Sequence, residues 1–212
     1  MAGVSVARDG RSAGAGRPRD PALDAAILNA AQDLLIEHGY TETTVEAVAR
    51  AAGTGKAAVY RRWPAKTDLI IAAVRALQSP PTVPDTGTLR GDLLACALHF
   101  VQPDRRPALV LAGILNELGR NDELRKAAYE AIGKPPAMAF AAVLDRWAAR
   151  GQVTSSAPAG LLAGIVPAAA FRSVVFRRQS LDLQTATDLV DFVLLPAVSP
   201  GMAERSPAAK AR

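Results

Sequence analysis

Between Lys56 and Arg62 the chain carries a lysine, a tyrosine and two arginines, and Lys66 follows where the next helix begins. From residue 47 to residue 67 there are five basic residues and no acid. Ammonium and guanidinium groups in that pattern suit phosphate oxygens and the acceptors on a guanine edge, and a phenol can donate to either. On a helical wheel of about 100° per residue, Val59 and Trp63 share one side, while Ala57, Ala58 and Arg61 share the other. Lys56 and Tyr60 flank that outer face on one margin and Arg62 on the other. Small side chains at its centre let a helix approach base edges closely, and their methyls pack on thymine. A basic run alone also fits a solvated helix face. Its coincidence with a glycine turn, two aromatics and an acid-free window favours a surface built for a groove.

The elements that must position these groups can be read on either side. Asp20 before Pro21 forms an N-cap with proline at the first helical position, and Leu23, Ile27, Ala30, Ala31, Leu34 and Leu35 recur at helical spacing until Gly39. Thr43-x-x-Glu46 reads as a capping box opening a second helix of about eight residues. Gly53 and Gly55 bracket a tight turn, a third helix runs from Lys56 to Trp63, and Pro64 stops it. A fourth runs from Lys66 to Leu77. Two short helices across a glycine turn, packed on a longer one, are the parts of a helix-turn-helix.

The stretch from Thr43 to Ile70, "TTVEAVARAAGTGKAAVYRRWPAKTDLI", resembles the DNA-binding domain of the TetR family of bacterial transcriptional regulators. The match rests on Thr43-Thr44, Ala52-Gly53, Lys56, Tyr60, Arg61-Arg62 and Trp63, then on Pro64-Ala65-Lys66 and Asp68-Leu69, and it spans residues 21 to about 78. It implies that Thr44 and Lys66 bind phosphate, that Tyr60 and Arg62 contact the DNA backbone or a base edge, and that Lys56, Ala57 and Ala58 face bases. Gly55 departs from the pattern, standing where the family usually has a serine cap. With two alanines at reading positions, base preference leans on Lys56, Arg61, methyl packing and DNA shape. The basic arm at residues 1–20 offers Arg17 and Arg19 to an adjacent minor groove, or merely keeps the chain soluble.

Residues 79–87, "SPPTVPDTG", form a linker. Beyond it helices are expected at 88–102, 105–119, 121–150, 158–178 and 184–197, with Pro135 and Pro136 bending the third, and a disordered tail from 199 to 212. The expected fold is therefore all-α, with about nine helices: a DNA-binding domain at 21–78 and a second domain at 88–198. The second part resembles the family's C-terminal region more weakly. That resemblance implies ligand binding, dimerisation through the last two long helices, and a near-palindromic operator. Candidate ligand residues are the scarce non-aliphatic groups Cys96, Glu117, Tyr129, Trp147 and Phe171, together with Ile114. Few polar groups point to an apolar or amphipathic effector.

Composition narrows the alternatives. Half the residues are apolar and 5% aromatic, so Ala, Leu and Val must build the core. The formal charge of +5 is compatible with a polyanionic partner. One cysteine fits a reducing cytosol, no apolar run follows the N-terminal charges, and the apolar stretch 157–171 falls short of the ~20 residues of a bilayer span. His38 and His99 lie on separate helices, with no catalytic, metal or cofactor motif around them. The expectation is a cytoplasmic, dimeric, ligand-responsive regulator, probed against a second reading as a helical protein-interaction or lipid-carrier module.

Overall fold

Asp20 and Pro21 start the first helix together. The Asp20 carboxylate accepts from the amides of Ala22 and Leu23 at 3.0 and 3.4 Å, and Pro21 occupies a position whose N–H would have had no helical partner. The computed structural model describes residues 20–154 and 157–199. The arginines of the basic arm, Arg17 and Arg19, and the tail from residue 200 lie outside the described residues.

Regular structure among the described residues is helical throughout. The N-terminal part contains α1 (Pro21–Glu42), α2 (Val45–Ala51), α3 (Lys56–Tyr60) and α4 (Lys66–Arg75). The remainder contains α5 (Leu89–Leu98), α6 (Arg106–Leu118), α7 (Asp122–Ala128), α8 (Lys134–Ala149), α9 (Ala159–Arg177), α10 (Leu183–Asp188) and α11 (Leu195–Val198). A π-helical turn, Tyr129–Gly133, joins α7 to α8 without a break, and another, Leu189–Leu194, joins α10 to α11. Counted as continuous runs, these make nine helices among the described residues. Both π turns lie just upstream of proline, at Pro135-Pro136 and at Pro196. A proline ring clashes with the carbonyl four residues back, and widening the preceding turn removes the clash. The expected bend in the 121–150 helix takes this form; the second π turn had no counterpart in the sequence reading.

Two local expectations change. Thr44, not Thr43, caps α2, its hydroxyl accepting from the amide of Ala47 at 3.1 Å. Thr43 is buried and donates to the carbonyl of Gly39 at 2.7 Å, so Glu46 is one position too early to complete a capping box. The apolar stretch also runs further than read: α9 continues past Arg172 to 19 residues, long and apolar enough by length and composition to span a bilayer. Its buried residues Leu162, Ala163, Val166 and Ala170 pack with Phe140, Val143 and Trp147 of α8 in the largest core.

Three apolar clusters organise the chain. Ile27, Ala31, Val48, Val59 and Leu69 hold α1 to α4 together. The large core joins α5, α8, α9 and the C-terminal helix. Between them Leu35 of α1 and Ile70 and Val74 of α4 pack on Val110 and Ile114 of α6 and Leu124 of α7. The helix-turn-helix therefore shares a core with the helices behind it rather than hanging from a tether.

The linker is pinned by one buried carboxylate. Asp92 of α5 accepts from the Thr86 amide (2.6 Å) and hydroxyl (2.7 Å), the Trp147 indole (2.7 Å) and the Arg146 guanidinium (2.6 Å). Burial alone would raise its pKa, but the hydrogen bonds from Thr86, Trp147 and Arg146 outweigh it and hold the carboxyl down at about 2. A carboxylate with a depressed folded-state pKa stabilises the fold above its unfolded pKa, and that contribution disappears as pH falls through the folded value. Asp92→Asn should lower stability near neutral pH by roughly 2–4 kcal/mol, because it leaves the Arg146 cation without its anion. Urea unfolding of the variant should also lack the part of the wild-type acid loss that falls between the ordinary carboxylate value of 3.8 and about 2.

Candidate nucleic-acid interface and interior cavity

The turn between α2 and α3 is a Schellman motif. The Thr54 amide donates to the carbonyl of Ala49 (2.9 Å) and the Gly53 amide to that of Arg50 (3.2 Å), with Gly53 in the left-handed region at φ +65°. Gly55 caps α3 from an extended conformation, φ −85° and ψ 146°, and gives no side-chain bond. Val59 is fully buried and Trp63 packs at the edge of the same cluster, which fixes the rotation of α3. Lys56, Ala57 and Arg61 are exposed in consequence, and Tyr60 is 40% exposed. Thr44 is exposed too, its hydroxyl proton left over from the cap.

Three of the basic residues have partners within the chain. Lys56 bonds to Glu46 of α2, which raises the lysine's pKa and lowers the carboxylate's, and its ammonium lies 5.6 Å from the Tyr60 ring centre. Arg62 does not extend along the outer face. Its guanidinium bonds to Asp24 of α1 and, at 3.1 Å, to the carbonyl of Ala58, leaving the side chain 11% exposed. Ala58 is half-buried in turn. Lys66 sits over the Tyr40 ring at 4.1 Å and donates to the carbonyls of Tyr40 (2.6 Å) and Thr41 (3.3 Å). Burial pushes its pKa down against the attraction of Glu117 and Glu42. The outer face is thus formed by Thr44, Lys56, Ala57, Tyr60 and Arg61, while Arg62 and Lys66 tie α3 and α4 to the two ends of α1.

Behind this unit, α1 crosses α6 closely. A Cβ on Gly113 of α6 would fall 2.4 Å from the carbonyl oxygen of Leu35, so only glycine fits there without moving a helix. Beside the crossing is a polar latch. Gln32 of α1 is buried and donates to the carbonyl of Ala73 in α4 (2.9 Å), while its own carbonyl accepts from Arg106 of α6 (3.1 Å). Arg106 also pairs with Asp33 at 2.8 Å. The residues following Arg106, Pro107 and Ala108, line a cavity of about 350 Å³.

That cavity lies among the ends of α4 and α5, the face of α6 bearing Leu111, Leu115 and Leu118, α7 with its π turn, and α9. Of the candidate ligand residues, Tyr129 and Phe171 line it. Ile114 lies on the neighbouring stripe of α6, in the core shared with α1 and α4, and Glu117 approaches Lys66. Trp147 is buried against Asp92. Cys96 faces a separate cavity of about 190 Å³ beside the linker prolines, and burial pushes its thiol up to about 12. The sequence reading set His99 aside as a core or surface residue and did not single out Gln78, Gln102 or Arg125, and all four line the larger cavity. Only the turn chemistry around each residue was available to find them, and it does not report which way a helix faces.

A compact helix-turn-helix with a basic outer face, fused through a shared core to a helical domain containing a cavity, is the architecture of a DNA-binding transcriptional regulator. Residues 27–73 match the family model described as bacterial regulatory proteins, tetR family, and residues 83–193 match the tetracyclin repressor-like C-terminal domain. The chain is 32% identical over 191 residues to an uncharacterised HTH-type transcriptional regulator of Mycobacterium bovis, covering 87% of this chain and 94% of that one. It is 29% identical over 186 residues to the DNA-binding transcriptional repressor TetR of Mycobacteroides abscessus, covering 86% and 97%. The fold is similar to that of the transcriptional regulator FadR of Bacillus subtilis, with a TM-score of 0.67 at 19% identity over 82% of this chain and 98% of the other. The chain belongs to the TetR family: it is a non-enzymatic bacterial transcription regulator, which places its work in the cytoplasm.

The two turn glycines should respond oppositely to substitution. Gly53→Ala forces a Cβ into the left-handed region and should cost roughly 1–2 kcal/mol. Gly55→Ser meets no atom within 4 Å, supplies the missing cap and restricts the unfolded chain, so it should stabilise by about 0.5–1 kcal/mol. Thermal unfolding of the two variants checks both signs.

Proposed function

We propose that the protein is a dimeric repressor that leaves its operator when a small apolar or amphipathic molecule fills the cavity beside α6. The observation that carries this reading is continuity. The cavity wall begins one residue after Arg106, and Arg106 grips α1 through Gln32 and Asp33 while Gln32 holds α4. A ligand that favours a shifted α6 would reorient the helices carrying α3, but only as far as it binds the shifted state more tightly. The relative named as a DNA-binding transcriptional repressor supports the sign of regulation.

In this reading α3 enters the major groove. Ala57 comes closest to the bases, Lys56, Tyr60 and Arg61 reach base edges or phosphates, and Thr44 donates to a phosphate. Arg62 and Lys66 act as positioning residues, holding α3 and the start of α4 against α1. A near-palindromic operator requires two copies about 34–36 Å apart. The surface offered for pairing is the outer side of α9 and the C-terminal helix, where Phe176 is 80% and Phe192 77% exposed, with Leu161 and Leu183 also open. Apolar groups of that size on two neighbouring helices favour a second copy of the same face. The alternative of a protein-interaction or lipid-carrier module leaves the basic outer face of α3 without a task.

Operator binding, measured by fluorescence anisotropy on duplexes selected from a random library, tests the interface. Tyr60→Ala and Arg61→Ala should each weaken it by roughly 1–3 kcal/mol with unchanged thermal stability. Arg62→Ala should lower both, since it also releases Asp24. Unaltered binding by the Tyr60→Ala, Arg61→Ala double variant would overturn the reading. Gln32→Leu, far from the DNA face, should destabilise the protein by about 1–3 kcal/mol in urea unfolding, because the Ala73 carbonyl and Arg106 lose their shared partner.

A further inference from the structure

The larger cavity has a wall of uneven polarity and charge. Its wall is mostly aliphatic and aromatic, and the polar side chains reaching it are Gln78, His99, Gln102, Arg125, Tyr129 and Ser180. No carboxylate is among its described lining residues. A cationic ligand would lose its hydration there with no anion to meet it. His99, which burial disposes toward the neutral imidazole, adds no second cation to the wall. Among the described lining residues the one with a permanent charge is Arg125, on α7. Its bond to Asp122, at 2.8 Å one turn back, joins two well-exposed side chains, and such a pair is weak enough to exchange for a better-placed anion. The volume of about 350 Å³ lies near the lower end of the roughly 300–1,000 Å³ of ligand pockets, which limits the body to a short chain or a small ring system. Tyr129 and Phe171 are each more than half exposed, so aromatic faces border the opening.

We propose that this cavity takes a small amphiphile with a single carboxylate, its apolar body against Leu111, Leu115 and Phe171 and its carboxylate on Arg125. The proposal rests on the reading of the cavity as the effector site and adds the chemical class of the effector. Guanidinium and carboxylate form two parallel charge-assisted bonds, a match that neither an alcohol nor an amine reproduces.

Three probes with the same apolar body and different heads separate the possibilities: octanoate, 1-octanol and octylamine. Each is titrated calorimetrically into the full-length protein without DNA. Octanoate should bind roughly tenfold to a hundredfold more tightly than 1-octanol, as expected for a hydrogen bond to a charged group, and octylamine should bind weakest. Arg125→Gln should bring octanoate down to the level of 1-octanol and leave 1-octanol unchanged. Arg125→Lys should restore part of the preference, and Asp122→Asn, which frees Arg125, should tighten octanoate. Circular dichroism of each variant shows whether it has folded, and the wild-type ranking stands as a test by itself. Equal affinity for octanoate and 1-octanol, tighter binding of octylamine, or no binding of any probe would overturn the proposal. So would a folded Arg125→Gln protein that keeps the preference. Operator release is measured separately by anisotropy. Octanoate that binds as expected without releasing DNA overturns the regulatory reading and leaves the ligand class standing. DNA released by octylamine but not octanoate does the reverse.

Discussion

The structure depends on a crossing of two helices so close that one of them can have no side chain at the contact. Gly113 of α6 lies against the Leu35 carbonyl of α1, and a single Cβ would overlap that backbone oxygen. Backbone contact of this kind leaves little room for independent sliding, since packed interiors transmit displacement rather than absorb it. The buried amide of Gln32 beside it turns a two-helix contact into a three-helix one, joining α1, α4 and α6. A buried amide satisfied on both sides also fixes register, because any shift strands a donor or an acceptor. The helices that carry α3 and the cavity wall are thereby packed as one unit.

The same economy appears at the outer end of α1. Asp24 holds Arg62 behind α3, while at the far end the carbonyls of Tyr40 and Thr41 receive Lys66. Two cations of the basic cluster are consumed in orienting the face that the others form. A positively charged residue of this segment can therefore serve the fold, and the net charge of the segment overstates the number of groups facing outward.

The sequence made the outer face of α3 legible because it depends on short-range facts: a turn glycine, a buried valine, and small residues between long basic ones. The placement of Arg62 was not legible, since its partner Asp24 lies 38 residues away and wheel geometry sees only one helix. The cavity was legible in chemistry more than in place. Tyr129 and Phe171 line it, yet scarcity of polar groups did not mark the lining: Trp147 and Cys96 are scarce residues used to build the core. On α6 the stripes through Val110 and Ile114 and through Leu111, Leu115 and Leu118 are equally apolar in sequence. Gly113, on the side of Val110 away from Leu111 and Leu115, permits the close approach of α1 and so decides which stripe faces it.

The π turn at Tyr129–Gly133 sets the phase between two working surfaces on one continuous helix. Upstream of it Leu124 and Ala128 face the core shared with α1 and α4, and within it Tyr129, Ile132 and Gly133 border the cavity. Downstream Phe140, Val143, Leu144 and Trp147 face the large core. A π turn holds one residue more than the α-helical turn it replaces. Rewinding the turn as regular α-helix with that residue retained would rotate everything beyond it by about 100° relative to everything before. The two surfaces could then no longer both be met. The π winding of this short segment is therefore what lets one continuous helix meet both surfaces with the residues it has.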